Sequence, residues 1–196
     1  MARLKAFDEE RAVDIAVDCF WMHGYEGTSV RDLAAAMGIG GTSLYNAYGD
    51  KRALFSRSLQ RYAERSMRER IARLENSHRP KEAIVAFIEE IVERSLEDPD
   101  RKGCMLINSA LDVAPHDAEI RAVVSGYLDE IRGFFQRNLV AARKAGQVPR
   151  KIDAQSVATH LLGVVAGIRV LARTGAQRRQ LEDVARPALA LLEPAR

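Results

Sequence analysis

The residues with the most chemical reach in the smallest space lie between Thr28 and Lys51. Thr42, Ser43, Tyr45 and Asn46 place two hydroxyls, a phenol and a carboxamide on one side of a short segment. Leu44, Ala47 and Tyr48 fall on the other side and point toward Leu33. A short, uncharged face that both donates and accepts hydrogen bonds suits phosphate oxygens and base edges. The outer face of an ordinary helical hairpin would look the same, and spacing alone does not choose between the two. A second candidate is Cys104, which follows Gly103 at an expected helix start, just after Arg101 and Lys102. Helix N-termini and nearby cations favour a reactive thiolate, against the plain alternative of a small buried apolar residue.

Other chemistries find no support. There is no phosphate loop, no His-Glu helix motif and no Ser-His-Asp order with supporting context. Cys19 and Cys104 are the only two cysteines, too few for a disulfide framework and wrongly spaced for zinc. The expectation is a protein without metal or cofactor, and not an enzyme.

Helical periodicity dominates the elements that must position these groups. With 196 residues, 47% hydrophobic and 29% charged, the chain is long enough to bury a core. Ala12, Ile15, Ala16, Cys19 and Phe20 follow the spacing of an amphipathic helix. A short helix is expected from Ser29 to Met37, with Ser29 and Asp32 spaced as a capping box and Gly38 as its left-handed stop. Ala34, Ala35 and Ala36 would let it approach the next helix, Thr42 to Tyr48. The unit from about 28 to 47 has the size of a helix-turn-helix. Longer helices follow over about 50–76, 80–97, 117–144, 154–173 and 177–192, with a short one over 104–111. The fold class is all-α, about nine helices and no strand, divided into a head (1–50) and a helical body (51–196).

Val157 to Leu171 is apolar on more than one face, which points to burial on two sides. Together with 177–192, where Pro187 should interrupt the helix, it could form a subunit interface or a central core helix. No apolar run reaches the length of a membrane span, and acidic residues in the first ten positions leave no room for a secretory signal. A cytoplasmic protein with no membrane partner is expected.

The run from Gly24 to Ala34, then Gly38-Ile39, Ser43-Leu44-Tyr45, Tyr48, Lys51 and Ala53-Leu54-Phe55, resembles the N-terminal domain of TetR-type transcriptional regulators. Gly103 to Asn108 followed by Ala114 to Asp117 resembles a subgroup of that family. The resemblance implies a homodimeric, ligand-responsive repressor that binds double-stranded, pseudo-palindromic operator DNA. It implies a body that dimerises through 154–173 and 177–192 and holds an unknown small-molecule effector. Carried onto this sequence, Thr28, Ser29, Arg31, Gly41, Thr42, Ser43, Tyr45, Asn46, Tyr48 and Lys51 become the DNA-facing set, with Thr28 and Lys51 on phosphate. Gly40 and Gly41 depart from the family pattern and suggest close backbone approach; Tyr48 replaces the usual Phe and should pack inward. Candidate pocket residues are Phe87, Asn108, Ser109 and Tyr127. Some members of the family sense through a cysteine, which keeps Cys104 in view; a small-molecule binder or enzyme with an inactive head is the competing class.

The formal charge of +3 is a poor guide to the head. Residues 1–60 hold seven Lys and Arg against eight Asp and Glu, whereas residues 28–57 hold four bases against two acids. The expectation is a local +2 around the helix-turn-helix.

Overall fold

The computed structural model describes residues 9–193, so the acidic approach at Asp8 and the first eight residues of the head lie outside the described residues. The helices are α1 (Glu9–His23), α2 (Val30–Met37), α3 (Gly41–Tyr48), α4 (Lys51–Ala63), α5 (Glu69–Ser77), α6 (Pro80–Leu96), α7 (Met105–Asp112), α8 (Ala118–Lys144), α9 (Ala154–Arg173) and α10 (Arg178–Ala190). A π-helical turn, Glu64–Arg68, joins α4 to α5. The single long helix expected over 50–76 is therefore one rod with a π turn inside it, and nine helical rods stand among the described residues. No strand occurs there.

Two apolar clusters organise the chain. In the head, Ala12, Ala16 and Phe20 of α1 meet Leu33, Leu44 and Tyr48, and Leu54 and Phe55 of α4 close the group. Phe20 and Phe55 meet edge to face with centroids 4.9 Å apart, a geometry that adds to the roughly 1.5–3 kcal/mol gained by burying each large apolar side chain. This cluster continues into Met105, Leu106, Ile120 and Val124, so the head is packed on the body and α4 belongs to both. The body core centres on Phe87, Phe134 and Phe135, whose rings lie 5.1–5.2 Å apart.

Burial on α9 runs along Ala158, Leu161, Val164, Val165, Ile168 and Ala172. By length and composition this helix could cross a membrane, which corrects the expectation that no segment would qualify. Its apolar character has a packing cause, since that face lies against α6, α8 and α10. The second face is only partly covered: Val170 and Leu171 are exposed, as is Leu191 beyond α10. Pro187 sits inside α10, which nevertheless continues to Ala190.

Candidate nucleic-acid interface

The helix-turn-helix is built by local rules. Ser29 caps α2, its hydroxyl accepting from the Asp32 amide at 3.1 Å while the Asp32 carboxylate accepts from the Ser29 amide at 3.2 Å. The Ser29 hydroxyl, donating to the same carboxylate, and that second bond hold the Asp32 carboxyl below its ordinary range. Gly38 stops the helix at φ 68°, ψ 31°, a conformation that costs a side-chain-bearing residue about 1–2 kcal/mol. Its amide donates to Ala35 and the Ile39 amide donates to Ala34, the expected Schellman closure.

α3 is held by two inward anchors. Leu44 is fully buried, and Tyr48 is nearly so, its hydroxyl donating to the Glu9 carbonyl at 3.2 Å. Thr42, Ser43, Tyr45 and Asn46 are all exposed, Tyr45 at 53%. Gly40 caps α3 without a side-chain bond. An added side chain at Gly40 or Gly41 would meet open space, so neither glycine is needed for packing. Both leave bare backbone beside the amide groups of a helix start, the arrangement that receives phosphate.

Several expected roles change. Thr28 is 1% exposed, and its hydroxyl donates to the Gly24 carbonyl at 2.7 Å, so it ties the α1–α2 link instead of facing outward. Lys51 donates to the Tyr25 carbonyl at 3.0 Å, with its ammonium 4.1 Å from the Tyr25 ring centre. Ala47 is exposed, not directed at Leu33, and of the three alanines in α2 only Ala34 is buried. The local +2 is also less free than composition suggests. Arg52 reaches Asp117 at 2.6 Å and also meets Glu119, while Arg57 reaches Glu9 at 3.4 Å. Arg31 and Ser29 are exposed at the edge of α2. The Arg52 contacts join the head to the first turn of α8, where Asp117 also accepts from the Glu119 and Ile120 amides; all three hold its carboxyl below the usual range.

The four candidate pocket residues do not converge. Asn108 donates to the Lys102 carbonyl at 2.8 Å and Ser109 to the Met105 carbonyl at 2.7 Å, so both are used within the fold. They border a cleft at the head–body joint with Phe20, Trp21 and Tyr25. Tyr127 is half-buried with the Arg68 guanidinium 5.4 Å from its ring centre. Phe87 alone lines a second cavity, inside the body, with Tyr62, Arg70, Cys104 and Arg169. Cys104 caps the start of α7 and is half-buried. Lys102 is turned instead to the Trp21 ring, 4.8 Å away, and to Asp100 at 3.7 Å.

Sequence reasoning missed Arg70 and Arg169, each about nine-tenths buried or more. A signal was present. Arg70 falls on the helical stripe of Met67 and Leu74, and Arg169 on that of Val165 and Ala172. A cation on an apolar stripe is out of place unless it has a buried partner.

Two short helices joined at Gly38, the second with its polar side outward on an apolar anchor, define a helix-turn-helix protein with a helical body. Matches to known proteins give the family. Residues 12–57 match the model for bacterial regulatory proteins of the tetR family, and residues 80–188 match the tetracyclin repressor-like C-terminal domain. The uncharacterized HTH-type transcriptional regulator YezE of Bacillus subtilis is 33% identical over 98% of this chain and 100% of its own. The HTH-type transcriptional repressor ComR of Escherichia coli is 29% identical over 96% of this chain and 90% of its own. A cysteine-substituted form of the TetR-family regulator CifR, complexed with 26-base-pair double-stranded operator DNA, superposes with a TM-score of 0.85. It is 30% identical, covering 97% of this chain and 100% of that one. The chain belongs to the TetR family of helix-turn-helix transcriptional regulators, a family of regulators and not of enzymes.

Proposed function

We propose that this protein is a ligand-responsive repressor that binds a pseudo-palindromic operator as a homodimer and works in the cytoplasm. The observation that carries the reading is α3, exposed and polar outward, anchored by Leu44 and Tyr48 inward, with bare backbone at Gly40 and Gly41. Thr42, Ser43, Tyr45 and Asn46 read base edges and backbone, while Gly41 admits close approach. Ser29 and Arg31 meet phosphate from α2. Lys51 supplies positive charge at the start of α4 while it braces Tyr25. Thr28 and Tyr48 position these groups from inside.

The uncovered side of the last two helices supports dimerisation. Val170, Leu171 and Leu191 are large exposed apolar residues on or next to α9 and α10. Gly163 has no side chain within 4 Å of where its own would lie, so it leaves room for a close helix approach. Self-association on a twofold axis would cover these groups and set the two α3 helices near one DNA turn apart, about 34–36 Å. The Arg52 contacts to Asp117 and Glu119 give the body a grip on the head, so an effector that shifts α4 or α8 changes that spacing.

Selection of bound duplexes from random DNA by the full chain tests this directly. The expected product is an inverted repeat bound by two chains per duplex. Selection of no sequence, or binding by a single chain to one half-site, would reject the reading.

A further inference from the structure

The body cavity holds an imbalance of charge and of hydrogen-bond donors. It lies between α4, the π turn, α5, α6, α7, α8 and α9 and is walled mostly by apolar groups, among them Phe87, Ile91, Ile131, Leu162 and Val165. Two arginines enter it from opposite elements, Arg70 at 6% exposure and Arg169 at 7%. Arg70 reaches Glu90 through Nε at 3.4 Å and lies 5.6 Å from the Phe87 ring centre, yet its buried Nη2 has no hydrogen-bond partner. Arg169 donates from Nη1 to the Ser95 hydroxyl at 3.1 Å, and its buried Nε has no partner. The anion nearest to hand, Glu90, is already held by both Nη2 contacts of Arg73, at 2.7 and 2.8 Å. Arg94 adds a third cation acting on Arg70. Burial and these neighbouring cations push the Arg70 guanidinium down to about 10.

A buried guanidinium with an unmet N–H is costly, and carboxylates and phosphates are the groups that guanidinium donors recognise best. Two unmet donors, one from each arginine, match the two oxygens of a carboxylate. A phosphate would bring more oxygens than these two donors satisfy, and beyond them the mostly apolar lining offers only the Ser66, Tyr62 and Cys104 side chains. We propose that this cavity binds a small organic monocarboxylate, its oxygens between Arg70 Nη2 and Arg169 Nε and its hydrocarbon body against Phe87, Ile91 and Val165. The assignment deepens the ligand-responsive reading above and rests on it for the consequence at the operator, though not for the binding itself. The enclosed space is about 30 Å³, room for a carboxylate group or about two waters. A longer body must therefore displace its walls. Ser66 and Met67 of the π turn line the same cavity, and π turns inside α-helices recur at functional sites. This turn directly continues α4, which follows α3 in the head, so a displacement of this wall would be passed to α3.

The test titrates the full chain with sodium acetate, butyrate, hexanoate and octanoate at constant ionic strength. Butyramide and inorganic phosphate serve as controls, with binding read by calorimetry and by thermal melting. At least one carboxylate is expected to bind one per chain and to raise the melting temperature by about 3–6 °C at tenfold excess over its Kd. Butyramide should not bind. Arg70→Gln and Arg169→Gln should each weaken binding at least tenfold, while Arg179→Gln on α10 leaves it unchanged. If either arginine variant fails to fold, the carboxylate-against-amide comparison on the unaltered protein still decides. The proposal is overturned by no binding of any carboxylate, by equal binding of butyramide, by binding of phosphate alone, or by unchanged affinity in folded variants. Operator affinity measured on the same samples separates the two readings. Carboxylate binding without any operator binding sinks the regulator and leaves the site; operator binding without carboxylate binding does the reverse.

Discussion

Replacing Arg70 by Met should make the unliganded protein more stable, although it removes an ion pair. The charged guanidinium is disfavoured in its present place, since its fall to about 10 corresponds to about 3 kcal/mol against the charged form. Against this stands the ring contact with Phe87 at 5.6 Å, about 1 kcal/mol. The 3.4 Å approach to a partly exposed Glu90 opposes that fall and is already counted in it. Glu90 is not stranded by the change because Arg73 keeps it at 2.7 Å, and Met retains most of the apolar stem in the same space. The balance is a gain of about 2 kcal/mol, or about 4–8 °C in melting temperature for a chain of this size. Urea unfolding of the unliganded protein, with the slope of the transition unchanged, measures it. A loss of more than about 2 kcal/mol would refute the reasoning, because it would mean that Arg70 is fully satisfied within the empty fold and needs no anion.

Leu44→Ala should cost about 2–5 kcal/mol and abolish operator binding by loosening the head, while butyrate or hexanoate binding in the body is retained; proteolysis and titration of one sample check both. Leu171→Glu places a charge on the exposed face of α9 and should give a monomer by analytical ultracentrifugation, with helicity by circular dichroism unchanged. Asp14 is held below its ordinary range by Arg61 at 2.8 Å, with Arg65 at 2.7 Å adding to it. A carboxyl depressed in the folded state stabilises above its unfolded pKa, and that contribution is lost as pH falls through the folded value. Thermal melts taken downward through about pH 4 should therefore fall more steeply for the unaltered protein than for Asp14→Asn, and parallel curves would count against the brace.

Local rules were the most legible part of the sequence. Ser29 with Asp32 and Gly38 with Ile39 stand as expected because caps and stops depend on neighbours a few residues away, and Tyr48 packs inward beside Leu44 on the apolar side of α3, as its spacing predicts. Failures occur where a polar or charged side chain is taken up by a partner inside the fold, whether a carbonyl a few residues away or a group on another element. Thr28 reads as an outward hydroxyl until the link from α1 brings the Gly24 carbonyl to 2.7 Å. Arg52 counts toward the local positive charge, and the start of α8 claims it through Asp117. Asn108 and Ser109 read as pocket groups, and each is spent on a carbonyl of its own chain segment. Arg70 and Arg169 are indistinguishable by type from the solvated arginines around them. Only their place on an apolar stripe sets them apart, and the cavity they share needs α5 and α9 to meet.

A repressor of this kind requires α3 to discriminate between DNA sequences. Fluorescence anisotropy of the full chain on its selected duplex and on a scrambled duplex, at one physiological salt concentration, measures this. The prediction is a preference of about 10³-fold or more, lost in Tyr45→Ala with helicity and melting temperature unchanged. Equal affinity for the two duplexes, or a preference that survives Tyr45→Ala intact, would contradict it.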